Sequence, residues 1–266
     1  MTNNSRACLL GLALLPFIAG CIDSKTTVHL KTDGSGTVRQ VLYTKLPDLG
    51  PEVKVNGPGQ IDQEKAKAEQ AATEMGEGVT VQSVKALPDR GEWKGVEIVY
   101  AFEDVNNLKV KPMPNADAPG APGEEPAEPQ PKKDDQVKFE YADGTLVITM
   151  PPMNPAQEGG KKEDRPPVEM VQAMGALFEG MKVQLQVQVE GTITASDASF
   201  VSPSKKAVGL LQMDVGGLFG DKAAFKAMMD MEEIVDRDEI AAKLKTKPIS
   251  KYLKAETKEQ IEITFE

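Results

Sequence analysis

The sequence predicts an α+β fold: an antiparallel β-sheet built from hairpins, with helices packed on one face and Pro-rich insertions between elements. Three observations carry this expectation. Short runs of alternating apolar residues are joined by Gly-containing turns, which favours antiparallel neighbours. Between them lie segments rich in Ala, Glu, Lys and Gln, or with Met, Leu and Phe at helical spacing. Seven of the 19 prolines fall within Lys111 to Asp134 and five within Pro151 to Pro167, compositions that cannot bury a core.

Taken in order, Thr26 to Leu30 and Thr37 to Tyr43 flank Asp33-Gly34-Ser35-Gly36 and read as a hairpin. Ile61 to Met75 lacks Gly and Pro and reads as an exposed helix ended by Gly76. Val79 to Leu87 and Trp93 to Glu103 form a second hairpin, with Val96, Ile98, Tyr100 and Phe102 on one face. Gln136 to Met150 turns on Asp143-Gly144. A two-residue type I′ turn there pairs Tyr141 with Leu146, Phe139 with Ile148 and Val137 with Met150. Val168 to Met181 reads as an amphipathic helix. Val183, Leu185, Val187 and Val189 then alternate with Gln184, Gln186, Gln188 and Glu190, a strand with one apolar side. A further strand through Ala207 to Val215, helices near Asp221 to Met231 and Arg237 to Lys245, and a closing strand Ile261 to Phe265 complete the chain.

The N-terminus reads as an address. Met1 to Arg6 is polar with one positive side chain, and Ala7 to Ala19 is an apolar run of 13 residues, short for a bilayer span. It closes on Ile18-Ala19-Gly20-Cys21, small residues directly before a Cys, and here the sequence resembles bacterial lipoproteins. That resemblance implies cleavage between Gly20 and Cys21, a diacylglyceryl group on the Cys21 thiol and an acylated new N-terminus. Residues 1–20 are then a signal peptide and 21–25 a lipid-anchored tether. Residues 26–110 form an N-terminal α+β half, 111–134 a disordered insertion, and 135–266 a C-terminal half continuous with the first. Removal of residues 1–20 takes away Arg6 and Cys8, leaving 30 basic against 41 acidic side chains and no partner for a disulfide. Ile22 after the Cys favours, in a Gram-negative cell, the outer membrane facing the periplasm.

The stretch Lys31-Thr32-Asp33-Gly34-Ser35-Gly36-Thr37-Val38 within Val28 to Val41 resembles the opening hairpin of LppM-type envelope lipoproteins, which likewise follows a lipidated Cys. Lys182 to Val215 is loosely similar as well. The resemblance covers about a third of the chain, and the long Pro-rich insertion departs from it. It implies an α+β envelope domain, lipid binding and no catalytic residues.

Composition excludes several classes. A formal charge of −10 and a pI near 4.9 argue against nucleic acid as partner, since phosphate contacts need clustered Lys and Arg. Two Cys and one His leave few ligands for zinc or haem, and no cofactor or metal is expected. Gly34-Ser35-Gly36 reads as turn glycine rather than a phosphate cradle, because strand follows it and not a helix start. His29 has no nucleophile or carboxylate beside it in sequence. Asp230, Glu232, Glu233, Asp236, Asp238 and Glu239 lack the central Gly of a calcium loop and read as a solvated surface. Trp93 reads as a partly exposed strand residue.

The expected function is therefore that of a membrane-anchored, non-catalytic interaction or structural module of the cell envelope. Its partners are membrane lipid through Cys21 and a protein of the envelope. A second expectation is a carrier of a lipid or other hydrophobic ligand, lined by Met170, Met174, Leu177, Phe178, Met181, Phe225 and Met228, since thioethers adapt to irregular apolar shapes. A hydrolase is a third, with no pair of acids singled out.

Overall fold

In the computed structural model, residues 21–45, 58–112, 135–152, 178–231 and 236–266 are described. Residues 1–20, where a signal peptide is expected, most of the Pro-rich insertion, and Met170, Met174 and Leu177 lie outside them. β1 (Cys21–Leu30) and β2 (Gly36–Lys45) pair antiparallel over ten residues, from Leu30 opposite Gly36 to Cys21 opposite Lys45. The turn between them has Gly34 at φ +85, and the Asp33 carboxylate accepts from the Ser35 N–H at 2.9 Å and hydroxyl at 2.7 Å. Those bonds close the turn. They also hold the Asp33 carboxyl below the usual carboxylate range.

The expected tether at 21–25 is thus part of the first strand. Asp23, Ser24 and Lys25 show no strand pattern in sequence. Each nevertheless has a partner on both sides, Tyr43, Leu42 and Val41 on one and Lys182, Val183 and Gln184 on the other. Two ladders outweigh weak local propensity.

The helix α1 (Pro58–Met75) begins three residues before the expected Ile61, and Gly76 ends it at φ +138. It is less exposed than its composition predicts: Ala68, Ala72 and Met75, at i, i+4 and i+7, are buried. β3 (Thr80–Arg90) and β4 (Trp93–Phe102) form the second hairpin. β3 is an edge strand, which accommodates Pro88, and its pairing is broken at Val81/Ser83 and Leu87/Arg90.

β5 (Lys109–Val110) leads to β6 (Val137–Ala142) and β7 (Thr145–Thr149). Tyr141 lies opposite Leu146 and Phe139 opposite Ile148, with Asp143 at φ 51 and Gly144 at φ 77, the geometry of a type I′ turn.

The expected helix up to Met181 does not reach that residue. Phe178–Gly180 form a turn with Gly180 at φ +81, and β8 (Lys182–Val189) follows. On β8, Val183, Leu185, Val187 and Val189 are buried, whereas Gln184, Gln186 and Gln188 are half-buried rather than exposed. β8 lies inside the sheet, so neighbouring strands flank its polar side. Gln186 uses the setting to donate to the Thr27 hydroxyl at 3.2 Å.

β9 (Ile193–Ser196) and β10 (Ala207–Asp214) come next, then the short helices α2 (Val215–Gly220), α3 (Lys222–Met229) and α4 (Arg237–Leu244). β11 (Leu253–Ala255) and β12 (Gln260–Phe265) close the chain. α2 is Gly-rich and has no sequence signal. It starts because the Asp214 carboxylate accepts from the Gly217 N–H at 2.8 Å. Asp221 and Asp236 cap α3 and α4 in the same way.

Among the described residues there are two sheets where one was expected. The larger has the order β11-β10-β8-β1-β2-β4-β3, the smaller β5-β6-β7-β12-β9. In the larger, β1 and β8 run parallel, with Asp23 opposite Lys182 and Leu30 opposite Val189, so the sheet is mixed. Such a pairing joins strands 152 positions apart and leaves no local turn to read. Val28, Leu30, Ile98, Tyr100, Leu185 and Val187 of the large sheet share one core with Phe139, Leu146, Ile148, Ile261 and Ile263 of the small one. The second sheet thus takes a covering role that had been expected of helices. Ile240, Leu244 and Ile249 form a separate small core near α4.

Glu256, 1% exposed, ties two loops together. Its carboxylate accepts from the Ser199 N–H at 2.7 Å and hydroxyl at 3.1 Å, and from the Thr257 and Lys258 N–H groups at 3.0 and 3.2 Å. Glu256→Ala leaves these donors without an acceptor and lowers stability by about 1–3 kcal/mol in urea unfolding. Ser199→Ala, which removes only the hydroxyl bond, costs about 1 kcal/mol or less.

Candidate functional site

The residue with the strongest sequence signal, Cys21, is the first residue of β1 and lies at one end of the large sheet. Its register partner is Lys45, whose partner in turn is Trp93 on β4, so the three form one row across three adjacent strands. Four cations around this end have acidic partners: Lys45 with Glu92 at 2.7 Å, Arg90 with Asp23 at 3.3 Å, Lys94 with Asp89, and Lys182 with Asp214 at 4.0 Å. The Arg90 guanidinium also lies 3.7 Å above the Tyr43 ring, a cation–π contact that helps bury this tyrosine. Nothing in the sequence pointed to this row, because register relates residues 24 and 72 positions from Cys21.

Trp93 is half-buried, and its ring lies close over Gly180: a Cβ there would sit 2.7 Å from the indole. The neighbouring Phe178 ring tilts onto Phe219 with centroids 4.7 Å apart, and Phe219 tilts onto Phe225 at 5.0 Å. The start of α2 seals against the same turn, since the Met181 carbonyl accepts from the Val215 N–H at 2.9 Å. Of the residues named for a hydrophobic ligand, Phe225 is buried in this aromatic cluster, while Phe178, Met181 and Met228 are half-buried. Met170, Met174 and Leu177 lie outside the described residues, as does Gly20.

The clefts lie elsewhere. One of about 280 Å³ runs beneath α1 and is lined by Gln40, Glu64, Lys67, Tyr100 and Gln136 among others. The Tyr100 hydroxyl is 3.4 Å from the Gln40 amide oxygen, and burial together with the Glu64 charge pushes its pKa up to about 12. It is therefore a neutral phenol at any physiological pH. A shallower cleft of about 430 Å³ lies over β10 beside Phe200 and Val201, with Gln186, Gly209 and Gln212 in its floor. Phe178, Met181, Phe225 and Met228 do not line either of them.

His29, half-buried on β1, has its pKa lowered from 6.5, chiefly by burial and then by the Arg39 charge. Folding thus favours the neutral imidazole. The resulting stability is present above the ordinary pKa and is lost as pH falls through the lowered one. Melting temperature is expected to fall between about pH 8 and pH 5.5. His29→Gln removes that part of the fall, which differential scanning calorimetry of the two proteins would resolve.

Of the acidic cluster, Asp236 caps α4, accepting from the Glu239 N–H at 2.9 Å, and Glu232 and Glu233 lie outside the described residues. Among the described residues no group of His, Cys, Asp and Glu is arranged to hold a metal ion, and no helix is long and apolar enough to cross a membrane.

No family model matches the chain, and no curated sequence is similar to it. Among solved structures, it is similar to the NMR structure of the folded domain of the Mycobacterium tuberculosis LppM protein, with a TM-score of 0.29 and 14% identity over 72% of this chain and 83% of that one. The likeness is loose, and no residue of the site is assigned from it.

Proposed function

We propose that this chain is an envelope lipoprotein, anchored through acylated Cys21, whose folded body serves as a non-catalytic interaction or structural module, facing the periplasm from the outer membrane if the cell is Gram-negative. The observation that supports this reading best is the place of Cys21: the residue after Ile18-Ala19-Gly20 already belongs to β1. β1 is the fourth of seven strands, with ten paired positions on β2 and eight on β8. A pull on the anchor along the strand is thus opposed by two ladders at once, a suitable attachment for a module that transmits or resists force. On the other side of the same strands, exposed Lys25 and half-buried His29, Gln184 and Gln188 offer a polar surface that suits a protein partner better than a lipid tail.

Mass spectrometry of the protein extracted from its own membrane tests both parts. The intact mass is expected to show a chain starting at Cys21 with diacylglyceryl and N-acyl groups. Native spectra are expected to show the chain alone or with a second polypeptide. A persistent extra mass of one lipid beyond the covalent groups would instead favour the carrier reading, and a free Cys21 thiol would overturn the anchor.

A further inference from the structure

We propose that the end of the large sheet defined by Cys21, Lys45 and Trp93 rests on the bilayer, with the indole of Trp93 seated at the lipid headgroup level. The inference rests on the anchored-lipoprotein reading and goes beyond it, because it assigns the orientation of the body and the residue that makes contact. Cys21 is opposite Lys45 and Lys45 opposite Trp93, so the Cα atoms of Cys21 and Trp93 are about 10 Å apart, two inter-strand spacings. With no tether between the acyl chains and β1, Trp93 cannot lie far from the surface that holds those chains.

The chemistry of this end fits a lipid interface. A half-exposed indole combines an apolar body with one N–H donor, the combination that concentrates at membrane–water boundaries. Gly180 lets the Trp93 indole lie close over the turn, and in the same turn Phe178 packs on Phe219, both rings half-buried. Lys45, Arg90, Lys94 and Lys182 each have an acidic partner, so these four cations bring no net positive charge to the surface, and exposed Glu179 adds an acid beside the indole. The chain as a whole is strongly acidic, and anionic lipid would repel other faces of it.

Trp93 is the sole tryptophan, so its emission reports this one position. The probe is the full acylated protein in phosphatidylcholine vesicles whose acyl chains are brominated either near the headgroup or near the chain end. Emission is expected to shift to the blue and to lose about half its intensity with the shallow bromines, and less with the deep ones. The control is the Trp93→Phe/Val201→Trp variant. Val201 is exposed and bridges Val208, which aligns through Val187 with Val28, about 23 Å along β1 from Cys21. Its tryptophan is expected to stay unquenched.

Equal quenching at both positions, or none at Trp93 in protein that floats with the vesicles and carries acyl groups by intact mass, overturns the orientation and leaves the lipoprotein reading standing. An unmodified Cys21 in protein that does not float overturns both.

Discussion

Cys21→Ala is expected to arrest maturation completely: intact mass will read a chain that still begins at Met1 and carries no acyl group. The wild type is expected to begin at Cys21 and to be heavier than its bare polypeptide by the mass of its acyl groups. A second variant separates anchoring from processing. Replacing residues 1–21 by an ordinary secretory leader, cleaved before Ile22, should move the protein from the membrane pellet to the soluble fraction. Two or more acyl chains hold a protein firmly, at about 0.8 kcal/mol per buried methylene. The net-acidic body adds no electrostatic adhesion of its own to an anionic surface. The β1 ladders are made by backbone groups, so circular dichroism of the released protein should match that of the anchored one. A wild-type Cys21 with a free thiol would end the lipoprotein reading at once.

The second large effect is Phe139→Ala. Phe139 is 1% exposed, sits opposite Ile148 on β7, and belongs to the core that joins the two sheets. Truncating a buried Phe costs about 3–5 kcal/mol. In a domain of this size that lowers the melting temperature by about 6–20 °C. Glu140→Ala, one residue along and exposed, should stay within about 0.5 kcal/mol of wild type. Comparable losses from both would mean that the β6 register is wrong, because a slip by one residue exchanges the buried and exposed sets.

Legibility followed the range of the interaction. From its turn to Lys138 and Thr149 the β6–β7 hairpin could be read to the residue, because Asp143 and Gly144 accept positive φ and their turn sets the pairing on either side. The apolar side of β8 was legible for a similar reason, as Val183 to Val189 alternate without a break. β9 and β11 were not read: three or four residues are too few for a period, and each exists through one neighbour, β12 or β10. Of the candidate site, Cys21 stood out from its small neighbours and apolar leader, whereas Trp93 looked like any strand residue.

By itself, the sequence determined the local elements, namely the hairpins, the helix that stops at Gly76 and the apolar side of β8, and it singled out the Cys after Ala19-Gly20. These depend on backbone preferences, side-chain period and a short motif, all contained in a few neighbouring residues. Only the tertiary structure decided that there are two sheets, that β1 and β8 run parallel, and that Cys21 and Trp93 share a row. Each of these is a pairing between distant strands whose own patterns fit several partners. The choice among partners comes from burying both apolar faces in one core, a property of the assembled chain and of no single segment.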